Sequence, residues 1–137
     1  MSTEVFWFSE QPYGHVTDQD LESYESGRMH FPNTHFDPEK AHILYNNYHE
    51  QYALADEVGF DGIMSNEHHS ASWCMKPSVN VDPAATAKVT KRCKIAMLGT
   101  GIAFNDRVKM AKEIAMPDSP SGGQIFSEFF RGTAVAP

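Results

Sequence analysis

Apolar residues are grouped along this chain in short runs, separated by segments with helical spacing. Four of the runs are mostly apolar and bounded by polar residues or glycine, as buried strands are: residues 5–8, 62–65, 94–100 and 124–130. The third run, KIAMLGT, is nearly unbroken, which is typical of a strand covered on both faces in a parallel sheet.

Two of the segments between these strands open with the same helix signal. Asp37-Pro38 and Asp82-Pro83 each place a capping aspartate before a proline that suits the first helical turn. The first of these helices is predicted to end near Val58, because Gly59 suits a left-handed C-cap. Its inward residues recur at three- and four-residue steps: Ala41, Leu44, Tyr45, Tyr48, Tyr52 and Ala55.

The polar positions give three further expectations. His42 and His49 lie seven residues apart on the first helix and are predicted to face solvent rather than to hold a metal. A third helix, residues 107–116, is predicted to be capped by Asn105 or Asp106, with Val108, Ala111, Ile114 and Ala115 facing inward. Residues 9–36 are polar and predict one long loop.

Strands and helices alternate along the chain, which predicts right-handed crossovers and a parallel sheet. A doubly wound open sheet and part of an eight-stranded barrel both fit this order. No GxGxxG follows the first strand, so a dinucleotide-binding unit is not supported. In a barrel, the catalytic residues lie after the carboxyl ends of the strands. At these positions this chain carries His15, Glu67-His68-His69, residues 101–105 and Arg131.

Composition and charge narrow the function classes. The 137 residues are 41% hydrophobic, which predicts a single globular domain spanning residues 1–137. The net charge of −7, without a basic run, disfavours a nucleic acid or an anionic membrane as partner. Cys74 and Cys93 lack metal-ligand spacing and no signal-peptide pattern opens the chain, so we expect a cytoplasmic protein.

A metal site is one interpretation of the histidine loop. Glu67-His68-His69 lacks the HExxH spacing that places two ligands on one helical face, so a metal hydrolase is the weakest hypothesis and no metal ligand is assigned. An imidazole is equally suited to acid–base chemistry near neutral pH.

Three segments, in order, resemble the luciferase-like flavin-dependent monooxygenases, the family that includes bacterial luciferase: ALADEVGFDGIMSNEHHS, AKVTKRCKIAMLGTGIAFNDRVKMAKEIAM and SGGQIFSEFFRG. The resemblance implies an α/β fold, a parallel (β/α) barrel of the TIM type, of which this chain holds about four βα units. It also implies oxidation of a small organic substrate by molecular oxygen with reduced FMN, a deazaflavin coenzyme being the less expected choice. A separate flavin reductase is the implied partner.

The same resemblance implies roles for individual residues. His68 would lie near the flavin ring and act in acid–base steps, and Glu67 would orient it or hold the loop. Arg131 would bind the flavin phosphate.

The loop after the third strand carries the remaining implied cofactor contacts. Gly99, Thr100 and Gly101 would lie beside the ring, with a cis peptide expected at Gly101–Ile102. Asn105 would contact the cofactor edge or phosphate, or else cap the following helix.

Departures from the family keep a second hypothesis open. Pro117 and Pro120 stand in place of two leucines and Glu128 in place of a glycine, and an eight-stranded barrel needs about 200 residues or more. We therefore expect the N-terminal half of a flavin monooxygenase that acts only in a complete barrel. The alternative is a non-catalytic half-barrel, flavin-binding or inert, that dimerises; a homo-oligomer is expected in either case.

Overall fold

The computed structural model describes residues 2–27, 30–69, 71–103 and 105–130. Its elements, in chain order, are β1 (Phe6–Phe8), α1 (Asp18–Glu22), a 3₁₀ turn (Asn33–His35), α2 (Pro38–Val58), β2 (Gly62–Ser65), α3 (Asp82–Val89), β3 (Lys94–Gly101), α4 (Arg107–Ser121) and β4 (Ile125–Phe130). The predicted alternation of strands and crossover helices is confirmed.

The four strands form one parallel sheet in the order β1-β2-β3-β4. Sequential order with every strand parallel is the arrangement of a (β/α) barrel, and it brings all four carboxyl ends to one edge. The β3–β4 register shifts between Met97 and Thr100, so the end of β3 departs from regular pairing where the cofactor loop was predicted.

Helices α2, α3 and α4 pack on one face of this sheet. Ile63 of β2 is fully buried against Tyr52 and Ala55 of α2, with Cys93 and the partly buried Trp7 beside them. A second cluster joins Tyr13 and Met75 to Ala41, which attaches the segments after β1 and β2 to the start of α2. The predicted inward stripe of α2 thus forms the core, and the Asp37 cap and left-handed Gly59 are also confirmed.

The opposite face of the sheet is apolar, and its outer strands leave phenylalanine side chains exposed, whereas Ala96 is 4% exposed. Phe8, Met64, Ala96 and Phe126 are register partners and form a row across all four strands. Phe8 is 45% exposed and Phe126 is 65% exposed. In a closed barrel this face is the filled interior.

The long segment predicted as a loop over residues 9–36 contains a short helix that was not predicted. Thr17 caps the short helix α1 through a capping box, in which its hydroxyl accepts from Asp20 N at 3.2 Å and the Asp20 carboxylate accepts from Thr17 N at 2.9 Å. The sequence contains the capping signal T-x-x-D, but no apolar stripe adjoins it. The spacing of apolar residues therefore did not predict α1.

Helix α4 also differs from its prediction. It continues through Pro117 and Pro120 to Ser121 and ends at Gly122, whose φ of 76° is the left-handed cap. Met110 and Pro117 are its buried residues and lie seven apart on one face, whereas Val108 is 63% exposed. The inward face is therefore turned away from the predicted stripe.

None of the helices in the described ranges has both the length and the apolar character that a membrane crossing requires.

Candidate functional site

The carboxyl ends of β1 and β2 bring Glu10 and His68 together. His68 Nε2 lies 3.5 Å from Glu10 Oε2, and Asn66 Nδ2 donates to the same carboxylate oxygen at 2.5 Å. The loop is fixed in turn by His68 N, which donates to Lys76 O at 3.1 Å. The His68 side chain is 36% exposed, so its imidazole is held by a carboxylate yet open to a ligand.

Sequence reasoning missed Glu10. It follows the first strand directly, and a carboxylate at the end of the strand next to the histidine loop was the available signal.

Glu67 holds the loop and does not contact the His68 ring. Its Oε2 accepts from Val79 N at 2.8 Å, and its Oε1 lies 3.1 Å from Nε2 of His69, whose side chain is 70% exposed. Of the two roles expected for Glu67, the structure supports the structural one.

The end of β3 offers backbone rather than side chains. Gly99 has a φ of 93°, and a Cβ placed there would meet nothing within 4 Å, so space lies open beside it. Thr100 is 1% exposed and its hydroxyl donates to Asn80 Oδ1 at 3.4 Å. The Thr100 side chain therefore contacts the segment that precedes α3.

Two expectations about this loop are settled by its hydrogen bonds and peptide geometry. Asn105 Nδ2 donates to Gly101 O at 2.8 Å, and α4 is capped by Asp106, which accepts from Lys109 N at 2.8 Å. The expectation of a cis peptide bond at Gly101–Ile102 was wrong, because no described peptide bond is cis. Arg131, the predicted phosphate ligand, lies outside the described residues.

A buried polar network beneath this edge was not predicted. Asp82 is the first residue of α3 rather than its N-cap, which is Val81. Its Oδ2 accepts from Ser65 Oγ at 2.7 Å, and its Oδ1 lies 3.2 Å from His49 Nε2. His49 was expected to face solvent, but its side chain is 19% exposed because this carboxylate draws it inward.

The same network contains a buried lysine. Lys76 is 2% exposed and its ammonium donates to Ser9 O at 3.2 Å, at the end of β1. Burial lowers the pKa of Lys76, an effect that the nearby Asp82 charge opposes. Burial alone would raise the pKa of Asp82, but the hydrogen bonds from His49 and Ser65, with the Lys76 charge, hold it below its ordinary value.

A cavity of about 320 Å³ adjoins His68. It lies between the segment that follows β1 and the loop that follows β2, and its lining is largely aromatic and apolar. The edge of the sheet therefore combines a carboxylate-held imidazole, open glycine backbone and a cavity of ligand size.

Comparison with known proteins was made by sequence and by fold. No family model matches the chain. Over 90 residues it is 32% identical to the oxygenase component of a flavin-dependent trigonelline monooxygenase from Acinetobacter baylyi, covering 65% of this chain and 25% of that protein.

Solved structures extend the likeness of fold to nearly the whole chain. The monooxygenase RslO1 from Streptomyces bottropensis superposes with a TM-score of 0.69 at 22% identity, over 94% of this chain and 33% of that one. The oxygenating constituent of 3,6-diketocamphane monooxygenase from Pseudomonas putida, a type II Baeyer–Villiger enzyme in complex with FMN, gives 0.66 at 20% identity, over 98% and 30%.

The predicted resemblance and fold class are confirmed by these comparisons. The sequence relative is a flavin-dependent monooxygenase component, and the fold is that of part of a TIM-type barrel, shared with these monooxygenase structures. The chain spans a quarter of that relative's length and about a third of each of the two solved structures.

Proposed function

We propose that this chain, a relative of the luciferase-like flavin-dependent monooxygenases, contributes part of the active site of an enzyme that oxidises a small organic substrate with reduced FMN and molecular oxygen. The observation that carries the proposal is the imidazole of His68, held by Glu10 at the carboxyl edge of parallel strands. This edge is where enzymes of barrel architecture perform their chemistry.

The residues at this edge have the chemistry that a flavin-binding site requires. The open space beside Gly99 allows a flat ring to approach the backbone of residues 99–101, which a side chain at that position would obstruct. Asn105 and Arg131 complete the proposed contacts, the arginine as a bidentate ligand of the phosphate. When bound, FMN supplies the two-electron chemistry with oxygen.

His68 is assigned the proton-transfer role. Its Nε2 lies 3.5 Å from the Glu10 carboxylate, so Glu10 orients the ring. Asn66 anchors Glu10 from the other side at 2.5 Å, which fixes the position of the carboxylate itself. Glu67 contributes indirectly, because its carboxylate accepts a hydrogen bond from Val79 N and so holds the loop that carries His68.

A flavin reductase is the proposed partner, because the sequence relative is named as the oxygenase component of its system. We also place the protein in the cytoplasm, where the free cysteines Cys74 and Cys93 would stay reduced.

The proposal is tested by supplying the chain, within a complete barrel, with NADH, FMN and a flavin reductase and measuring incorporation of ¹⁸O₂ into candidate substrates. Wild-type protein in that form is expected to support incorporation, and His68→Asn to lower it by about 10²-fold or more. Glu10→Gln is expected to give a smaller loss. His42→Asn, at an exposed position on α2, is the matched control. Equal incorporation by wild type and His68→Asn would contradict the assignment.

A non-catalytic role is the second candidate, and the exposed side chains of Phe8 and Phe126 on the sheet face opposite the helices favour it. We propose that a second copy covers this face, since burial of an exposed phenylalanine contributes about 1.5–3 kcal/mol when complete. Multi-angle light scattering tests it: a dimer that dissociates on Phe126→Glu is expected. A monomer at micromolar concentration would exclude self-association as the cover.

A further inference from the structure

We propose that the cavity beside His68 binds an uncharged, mostly apolar compound of one or two rings that carries a carbonyl or hydroxyl group. As a statement about binding, this rests on the cavity alone. As a statement about the substrate of the enzyme, it rests on the proposed function.

The walls of the cavity are aromatic. Tyr13 and Phe36 stand with ring centroids 5.5 Å apart, and Phe31 stacks on His35 at 4.6 Å. These four rings come from the segment between β1 and α2, while the opposite wall comes from residues 68–77. Flat aromatic walls on one side favour a ring over a flexible chain, because a bound ring gains offset and edge-to-face contacts with them.

None of the described residues that line the cavity is Asp, Glu, Lys or Arg, so an ionic ligand would find no carboxylate, ammonium or guanidinium partner among them. Burial raises the pKa of the Cys74 thiol and that of the Tyr45 phenol, so both are neutral near pH 7. The Tyr45 hydroxyl is already engaged, donating to Met75 O. A ligand charge here would be desolvated without compensation.

Polar groups are few in the lining of the cavity. His68 is the lining residue that also belongs to the proposed catalytic site, and Ser72 adds a hydroxyl. Asn33 provides an amide on the other wall. A ligand with a single oxygen could satisfy one of these while its ring contacts the aromatic wall, which would direct that oxygen to the imidazole.

The size fits this class. An apolar cavity of about 150 Å³ in another protein binds benzene. The volume here is about 320 Å³, which accommodates one ring with substituents or two small fused rings. It is at the lower end of pockets for small molecules, about 300–1,000 Å³.

The charge dependence is tested by ligand-observed saturation-transfer NMR on the 137-residue chain, without flavin. Benzyl alcohol, benzoate and benzylamine share one ring and differ in charge near pH 7.5. Benzyl alcohol is expected to bind at least about tenfold more tightly than either ion, because each ion would lose solvation without gaining a partner. Equal affinity for the three, or tighter binding of an ion, would overturn the inference.

Two variants assign the signal to this cavity. Ala71→Trp, at a lining residue, is expected to abolish benzyl alcohol binding. Ala85→Trp is the matched control, at an exposed residue that lines a neighbouring cavity of about 360 Å³ but not this one. Ser72→Asp places a carboxylate in the lining of the cavity. In this variant benzylamine is expected to bind at least about tenfold more tightly than benzoate.

Circular dichroism confirms that each variant is folded. Retained binding in folded Ala71→Trp would overturn the inference, and so would an unchanged charge preference in folded Ser72→Asp. Because flavin is absent, a failure here is distinguishable from failure of the oxygen-incorporation assay, which tests the proposed function.

Discussion

Replacing Asp82 by Asn tests whether the buried network joins the sheet to the helix layer. The carboxylate is 7% exposed and interacts with Ser65 Oγ at 2.7 Å and His49 Nε2 at 3.2 Å. Hydrogen bonds to charged groups contribute about 1.5–3 kcal/mol each. Asn keeps one accepting oxygen but loses the negative charge that compensates the positive charge of the buried Lys76 ammonium. We expect Asp82→Asn to lower the free energy of unfolding by about 2–4 kcal/mol.

The assay is urea denaturation at pH 7 and 25 °C, followed by circular dichroism. Glu57→Gln removes an exposed carboxylate on α2 and is the matched control, expected to change the free energy of unfolding by less than about 0.5 kcal/mol. A double-mutant cycle with Lys76→Met isolates the charge contribution, and the double mutant is expected to lose less than the sum of the single mutants. A loss below about 0.5 kcal/mol for Asp82→Asn would refute the reasoning.

The pH dependence gives an independent check with a definite sign. The pKa of Asp82 is held below its ordinary value of 3.8, so the charged carboxylate stabilises the native state above that value. Its contribution is lost as the pH falls through the folded pKa. The gap in free energy of unfolding between wild type and Asp82→Asn should therefore narrow below about pH 4. A gap that widens with acid would contradict the direction of the shift.

The remaining predictions concern three buried contacts. Asp56→Asn should lower the free energy of unfolding by about 2–3 kcal/mol, because its carboxylate accepts from the N–H groups of residues 91–93 at 2.7–3.0 Å; a change below about 0.5 kcal/mol in urea denaturation would count against this. Gly62→Ala should cost about 1–3 kcal/mol, since a Cβ there would lie 2.2 Å from Phe6 Cε1, and Phe6→Leu should relieve much of the cost; full additivity would be the contrary result. Tyr52→Phe should cost about 1–3 kcal/mol by leaving the buried Gln11 amide, which donates to Tyr52 OH at 2.9 Å, without that acceptor, and a calorimetric melt unchanged from wild type would argue against it.

Local signals predicted the elements, and contacts distant in sequence were missed. Helix α2 was predicted from end to end because Asp37 and Gly59 are read within one turn of each boundary. Asp82 looked like the same signal. Its partner His49 is 33 residues away, however, and that contact outweighs a local capping bond. Lys76 was missed because a lone lysine is usually exposed.

The candidate site followed the same division. The parallel order predicted that His68 and Gly99 would share one edge of the sheet, because that is a property of topology. The pairing of His68 with Glu10 rather than Glu67 depends on side-chain direction at two strand ends, which alternation alone does not determine.

The central claim is that this edge of the sheet receives a flavin, and equilibrium titration of the purified chain with FMN tests it most directly. Quenching of FMN fluorescence is expected to saturate at one FMN per chain, and Gly99→Leu, which fills the space beside the backbone, should weaken binding by at least about tenfold. Gly59→Leu, at the C-cap of α2 and also at a positive φ, is the matched control for backbone strain. Saturable binding that Gly99→Leu weakens and Gly59→Leu leaves intact would support the account. No saturable binding by the folded chain, or equal binding by Gly99→Leu, would contradict it.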